Sequence, residues 1–165
     1  MLSFESHDLT DAVAVTLIGE YLDERESTFP PAQGEYQRIA ADPVHFSPGR
    51  GAFLVVSDDG ELLGCGGVRL IDDGPRGARA EVKHVFTRPA ARGRGVARAL
   101  MVELEERARG LGAAEIVLDT NDSLTAAGQL YRTLGFDRVE PYNDNPNATA
   151  WYAKPLDADA AAPAV

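Results

Sequence analysis

Apolar side chains recur at every third or fourth position in some stretches of the chain and alternate or run unbroken in others. Leu9, Val13, Leu17 or Ile18, and Tyr21 give an amphipathic helix over 9–26, with Thr10 or Asp11 near its start and Pro30-Pro31 as its stop. A second short helix is expected around 33–41, ended by Asp42-Pro43, ahead of a loop at 47–51. The run 52–56, a turn at Asp58-Asp59-Gly60 and the run 62–70 read as a hairpin, in which Gly64, Gly66 and Gly67 suggest a bulge or a close approach. Residues 71–77 read as a second turn and 80–87 as a third strand. Its alternation puts Val82, His84 and Phe86 on one face and Glu81, Lys83, Val85 and Thr87 on the other.

Val96, Leu100, Leu104, Ala108 and Leu111 then share one face of a long helix closed by Gly110 and Gly112. The apolar run 115–119 is a central strand, parallel to its predecessor because a helix intervenes. Leu124, Ala127, Leu130, Tyr131 and Leu134 mark a helix over 124–134, capped from Asn121-Asp122-Ser123 and ended by Gly135; strands at 136–139 and 149–154 complete the chain. The order αα, βββ, α, β, α, ββ predicts a mixed α/β (α+β) fold with one right-handed crossover. One domain is expected over 1–156. Residues 157–165, with no large apolar side chain before Val165, are expected to be a flexible tail.

A 165-residue chain with 44% apolar residues holds one stable core and not two. Its net charge of −10 argues against a general nucleic-acid partner, and without a run of 18 apolar residues no bilayer-spanning helix is expected. The single cysteine, Cys65, excludes an intramolecular disulfide and a multi-cysteine metal site; no metal is expected, and a reducing cytoplasmic setting fits. Charge is also unevenly placed. Residues 76–98 carry seven basic groups and one acid, within an otherwise acidic chain. That island is either a seat for a small polyanion or a solvated arginine-rich loop.

Strand, Arg92-Gly-Arg-Gly-Val-Ala97, helix favours the anion seat, because a helix start bares unpaired N–H groups and the positive end of the helix dipole. No Gly-Lys-Ser/Thr follows, so it is not a P-loop, and the third glycine of a dinucleotide fingerprint is absent. Arg92-x-x-Gly95-x-Ala97 after a strand, with Leu130-Tyr131-x-x-x-Gly135-Phe136 following a shorter strand, resembles the GNAT superfamily of N-acetyltransferases. The resemblance implies a single domain with a central, mostly antiparallel sheet, a splayed parallel strand pair and flanking helices.

It also implies acetyl-CoA as co-substrate. Backbone N–H groups across Arg92, Gly93, Arg94, Gly95, Val96 and Ala97 would hold the pyrophosphate, with charge from Arg94 and Arg98. The pantetheine arm would pair along Val85, Phe86 and Thr87, and Asn121 would either bond it or cap the next helix. Tyr131 would be the acid for the departing thiolate, unless it is only a core tyrosine. Glu81, the one acid of the basic island, is the first choice for the base and a substrate contact, with His84 or a water relay as alternatives. Tyr21 and Glu24 on the first helix, and Tyr142 and Asn145 in the polar loop 141–146, are acceptor-site candidates, though that loop also suits plain turn chemistry. The expected reaction is direct transfer to a primary amine of a small molecule or peptide, and the acidic balance of the chain weakly favours a cationic acceptor. The rival reading is a non-catalytic acyl-CoA sensor. A homodimer through the C-terminal strands is common in such folds.

Overall fold

The computed structural model describes residues 1–157, so the expected tail falls, past Asp157, outside the described residues. One sheet orders its strands β1-β2-β3-β4-β5-β7-β6: β1 (Leu2–Ser6), β2 (Gly51–Asp58), β3 (Glu61–Gly74), β4 (Gly77–Thr87), β5 (Glu115–Thr120), β6 (Asp137–Val139) and β7 (Ala150–Pro155). Every neighbouring pair is antiparallel except β4 and β5. Three α-helices are formed among the described residues: α1 (Ala12–Thr28), α2 (Val96–Gly110) and α3 (Thr125–Thr133). The mixed class and the parallel pair at the crossover are as the sequence predicts.

Alternation along the strands splits the core in two. Leu54, Val56, Val68, Val82, Ile116 and Leu118 face α2 and α3, meeting Val96, Leu100, Met101, Leu104 and Tyr131. Phe53, Val55, Cys65 and Phe86 face α1, meeting Ala14 and Leu17. Each buried aliphatic side chain contributes roughly 1.5–3 kcal/mol through water exclusion, so both helix layers are fixed chiefly by this packing.

Four expectations are corrected. β1 was not predicted: only Leu2 and Phe4 alternate there, too short a run to signal a strand, and pairing with β2 supplies what the pattern lacks. The helix at 33–41 is absent; beyond the 3₁₀ turn Pro31–Gln33 the chain is irregular up to Asp42. Ile39 is exposed there, so a helix would bury little, and the Asn147 side chain takes both backbone groups of Gln37 that a helix would use. Residues 71–77 are largely strand, with β3 and β4 paired out to Gly74 and Gly77. Finally, α3 is preceded by Leu124 with no side-chain cap; the Asn121 side-chain oxygen Oδ1 instead accepts from the Ser123 N–H at 3.0 Å.

β4 carries the feature that shapes the site. Cys65 pairs with Phe86 and Gly67 with Lys83, so His84 and Val85 together oppose Gly66. This bulge holds His84 at φ 56° and shifts the alternation by one residue. Val85 therefore packs toward α2, beside Leu100 and Leu104 where Gly66 leaves room, while the His84 ring meets Tyr21 and Phe46. His84 thus lies on the side of Phe86 and α1, the side to which Glu81 and Lys83 already point ahead of the bulge.

Candidate active site

β4 and β5 pair only from Arg79 with Glu115 to Val82 with Leu118. Beyond that point they part, and a cleft of about 950 Å³ opens between them, walled by α1, the start of α2, α3 and the loops at 34–42 and 143–148.

One end of the cleft is main chain. The first helical bond of α2 runs from Ala99 N–H to Gly95 O, and Gly95, at φ 78°, precedes the helix without a side-chain cap. The N–H groups from Gly93 to Arg98 therefore have no acceptor in the helix, beside the positive end of its dipole. Space is open around Gly93 and Gly95, where a Cβ would meet nothing within 4 Å. Such a set fits a diphosphate. The Thr87 Oγ1, enclosed on the cleft wall without a partner among the described residues, suits a further polar group of a bound coenzyme.

Tyr131 sits on α3 and lines the cleft, its ring held between Phe136 and Tyr152 at centroid distances of 6.1 and 6.0 Å. No hydrogen bond to its hydroxyl is made among the described residues. Burial, and then the nearby Asp119 and Tyr152, push that hydroxyl up to about 12. Desolvation does the same to a thiol in this interior: Cys65 is also raised to about 12, chiefly by burial. A phenol and a thiolate meeting in this cleft would stay comparable in proton affinity.

The opposite end is built from paired charges. Glu81 is 2% exposed and accepts from Arg69 Nε and Nη2 at 3.1 and 2.9 Å and from the Tyr142 hydroxyl at 2.7 Å. Asp119 accepts from Lys83 Nζ at 2.9 and 3.1 Å and from the side-chain amides of Asn143 and Asn145 at 2.7 and 3.1 Å. Trp151 Nε1 donates to Asn143 at 2.8 Å, so β7 fixes the loop 143–147 from below. The loop at 141–146 is thus an anchored part of the wall.

The sequence-predicted residues divide accordingly. Val85, Phe86, Thr87, Arg92, Gly93, Gly95, Val96, Ala97, Arg98, Asn121, Tyr131, Tyr21, Glu24 and Asn145 line the cleft, whereas Glu81, Arg94 and Tyr142 do not. Glu81 lies behind the wall, its oxygens occupied by Arg69 and the Tyr142 hydroxyl. Tyr142 is committed to Glu81, with Arg79 over its ring at 5.2 Å. Arg94 turns away toward Asp58, at 3.4 Å. The Arg92 N–H is taken by Pro89 O, and its side chain bonds Glu24 at 2.6 Å and Thr87 O at 3.1 Å, which ties α1 to the loop. Asn121, 1% exposed, donates to Gln33 and to Asn147 O, joining three segments.

His84 does reach the cleft. Burial, then the cations Lys83 and Arg69, push its imidazole down to about 4, so it is neutral at physiological pH. Sequence reasoning missed Arg25, Tyr36, Lys83, Asp119 and Asn143 as wall residues. Asp119, the one acid closing an apolar strand run, carried a readable signal; Arg25 and Tyr36 carried none.

Bared helix-start amides, a splayed strand pair and a buried phenol on one cleft suit an acyl-CoA-dependent transferase. The description "Acetyltransferase (GNAT) family" matches residues 16–136, and the chain belongs to that family, with acetyl-CoA as its co-substrate. It is 34% identical over 142 residues to an uncharacterised N-acetyltransferase of Schizosaccharomyces pombe, covering 84% of this chain and 83% of that protein. It is likewise 34% identical over 155 residues to an IAA acetyltransferase of Azospirillum brasilense, covering 90% and 93%. A putative acyl-CoA N-acyltransferase from Klebsiella pneumoniae superposes with a TM-score of 0.71 at 27% identity, over 95% of this chain and 99% of that one. No described helix is long and apolar enough to cross a membrane.

Proposed function

We propose that the protein moves the acetyl group of acetyl-CoA directly onto a primary amine of a small molecule or peptide, with Tyr131 as the acid. The observation that carries this reading is one cleft lined both by the start of α2, at Gly93 and residues 95–98, and by Tyr131. Acetyl-CoA supplies an activated carbonyl and a thiolate leaving group. The amides at 93–98 hold its diphosphate, and the main chain of β4 past the bulge, unpaired on its β5 side, aligns the arm. Alignment of this kind supplies much of the rate by fixing the carbonyl against the amine.

As the N–C bond forms and the C–S bond breaks, Tyr131 gives its proton to sulfur and is reprotonated from solvent. The amine nitrogen loses one proton. Asp119 and Glu24, the acids on the wall, are both engaged by cations, and Glu81 lies behind it, so this proton leaves through water at the open mouth. A cytoplasmic location belongs to the same proposal, supported by a lone, buried and unpaired thiol. Titration with coenzyme A, followed by acetyl transfer to a panel of polyamines, aminoglycosides, amino acids and peptide N-termini, tests the reading. Tight binding with no transfer to any amine would instead leave a sensor.

A further inference from the structure

Five polar or charged residues are buried among the described residues: Arg25, Glu81, Glu105, Glu115 and Asn121. Four are partnered. Glu81 holds Arg69, Glu105 holds Arg109 and Lys154, Glu115 lies 3.4 Å from Arg76, and Asn121 bonds Gln33 and Asn147. Arg25, 7% exposed, is in no ion pair among the described residues; its Nη1 is sealed from solvent without a hydrogen-bond acceptor there, and the Tyr36 ring lies 5.7 Å from the guanidinium carbon. A guanidinium does not shed its proton, so enclosing it unpaired is costly until an anion arrives.

Its place is the acceptor end of the cleft. Arg25 lies one helical turn beyond Tyr21 on α1, and both line the wall. The other cations there are matched: Arg69 with Glu81, Lys83 with Asp119, Arg92 with Glu24. Arg98, at the α2 end, donates to Thr133 at 2.9 Å, which leaves Arg25 as the one enclosed cation of the lining without a polar partner among the described residues. Tyr36 lies against the guanidinium, and Leu22, Ile39 and Phe46 are apolar side chains of the same cleft, Ile39 half exposed. Arg25 and Tyr131 line the same cleft, and the guanidinium charge opposes the rise of the Tyr131 hydroxyl.

We propose that the acceptor is an apolar amine bearing a carboxylate, such as an apolar α-amino acid, and that Arg25 receives that carboxylate. This deepens the acetyl-transfer reading and rests on it. It departs from the cationic acceptor that net charge suggests, because a short-range pair with one enclosed guanidinium outweighs the screened field of distant surface acids. The amine nitrogen becomes the amide nitrogen as the C–S bond breaks, one proton leaves it for water, and sulfur gains one from Tyr131.

The test compares L-phenylalanine and L-leucine with their carboxamides and with phenethylamine and isoamylamine as acceptors. The free acids are expected to have kcat/KM about 30-fold or more above the carboxamides. Arg25→Gln should reduce that ratio to within about threefold, mainly through KM, with Arg25→Lys recovering part of it and the KM for acetyl-CoA unchanged. A second measurement needs no turnover and no variant: N-acetyl-L-phenylalanine and its carboxamide are titrated into the wild-type protein saturated with coenzyme A. Tenfold tighter binding of the acid supports the inference; equal binding, or carboxamides acetylated as well as acids, overturns it. If the acid binds selectively but no amine is acetylated, the carboxylate seat stands and acetyl transfer falls.

Discussion

Tyr131→Phe removes one oxygen and little else. The ring stays between Phe136 and Tyr152, and the lost hydroxyl leaves no orphaned partner among the described residues. Stability should therefore change by less than about 1 kcal/mol, a melting shift of at most roughly 4 °C for a chain of this size. The diphosphate seat is built from the amides of 93–98, so coenzyme A affinity should hold within about twofold. Turnover is another matter. Loss of a positioned acid costs about 10- to 10³-fold, or about 1.4–4 kcal/mol of barrier. Single-turnover release of thiol, measured with acceptor in excess, isolates the chemical step from product release. With the wild-type hydroxyl raised to about 12 by burial, the rate should show no alkaline decline due to Tyr131 below about pH 10. An unchanged single-turnover rate in Tyr131→Phe would refute the acid role, and an alkaline limb below pH 10 that vanishes in the variant would refute the burial argument.

Three further outcomes follow from the geometry. Glu81→Gln should lower stability by about 3–5 kcal/mol in urea melts, since Arg69 loses its enclosed carboxylate; if Glu81 only positions, the acid limb of kcat/KM keeps its midpoint, and disappearance of that limb would mark it as the base. Gly95→Glu should fold, because a Cβ there meets nothing within 4 Å, yet lose coenzyme A binding by 10²-fold or more, as the side chain brings bulk and negative charge to the amides at a φ of 78°. His84 is neutral in the fold down to about pH 4, whereas the unfolded chain takes up its proton near 6.5. Stability from this group is therefore complete above about 6.5 and falls as pH drops toward 4, by roughly 3 kcal/mol; His84→Gln should flatten that part of the urea-midpoint profile, and an unchanged slope would count against it.

Both the cofactor end of the cleft and the helices behind it were legible, because they rest on local signals. Val96, Leu100 and Leu104 repeat at helical spacing, and Gly95 precedes them where a positive φ is needed. What escaped prediction depends on partners remote in sequence. β1 exists only because β2 offers an edge, and 34–42 avoids helix because Asn147 holds Gln37 from 110 residues away. The bulge at His84 is hidden for a related reason. Alternation is a statement about an unbroken ladder, and one extra residue opposite Gly66 reverses every assignment after it. Glu81 looked like a base because it was the lone acid among cations; once folded it is enclosed by Lys83 from that island and by Arg69 and Tyr142 from outside it, partners that local sequence does not reveal.

The two halves of the cleft differ in what they are made of, backbone at the α2 end and side chains at the Arg25 end. Main-chain N–H groups survive exchanges of the residues that carry them so long as Gly93 and Gly95 keep their positive φ and no bulk or negative charge enters between them, so this end is less sensitive to side-chain identity than the other. At the Arg25 end a single codon change alters charge or shape, and descendants of this gene would diversify their acceptors while still drawing on one common donor.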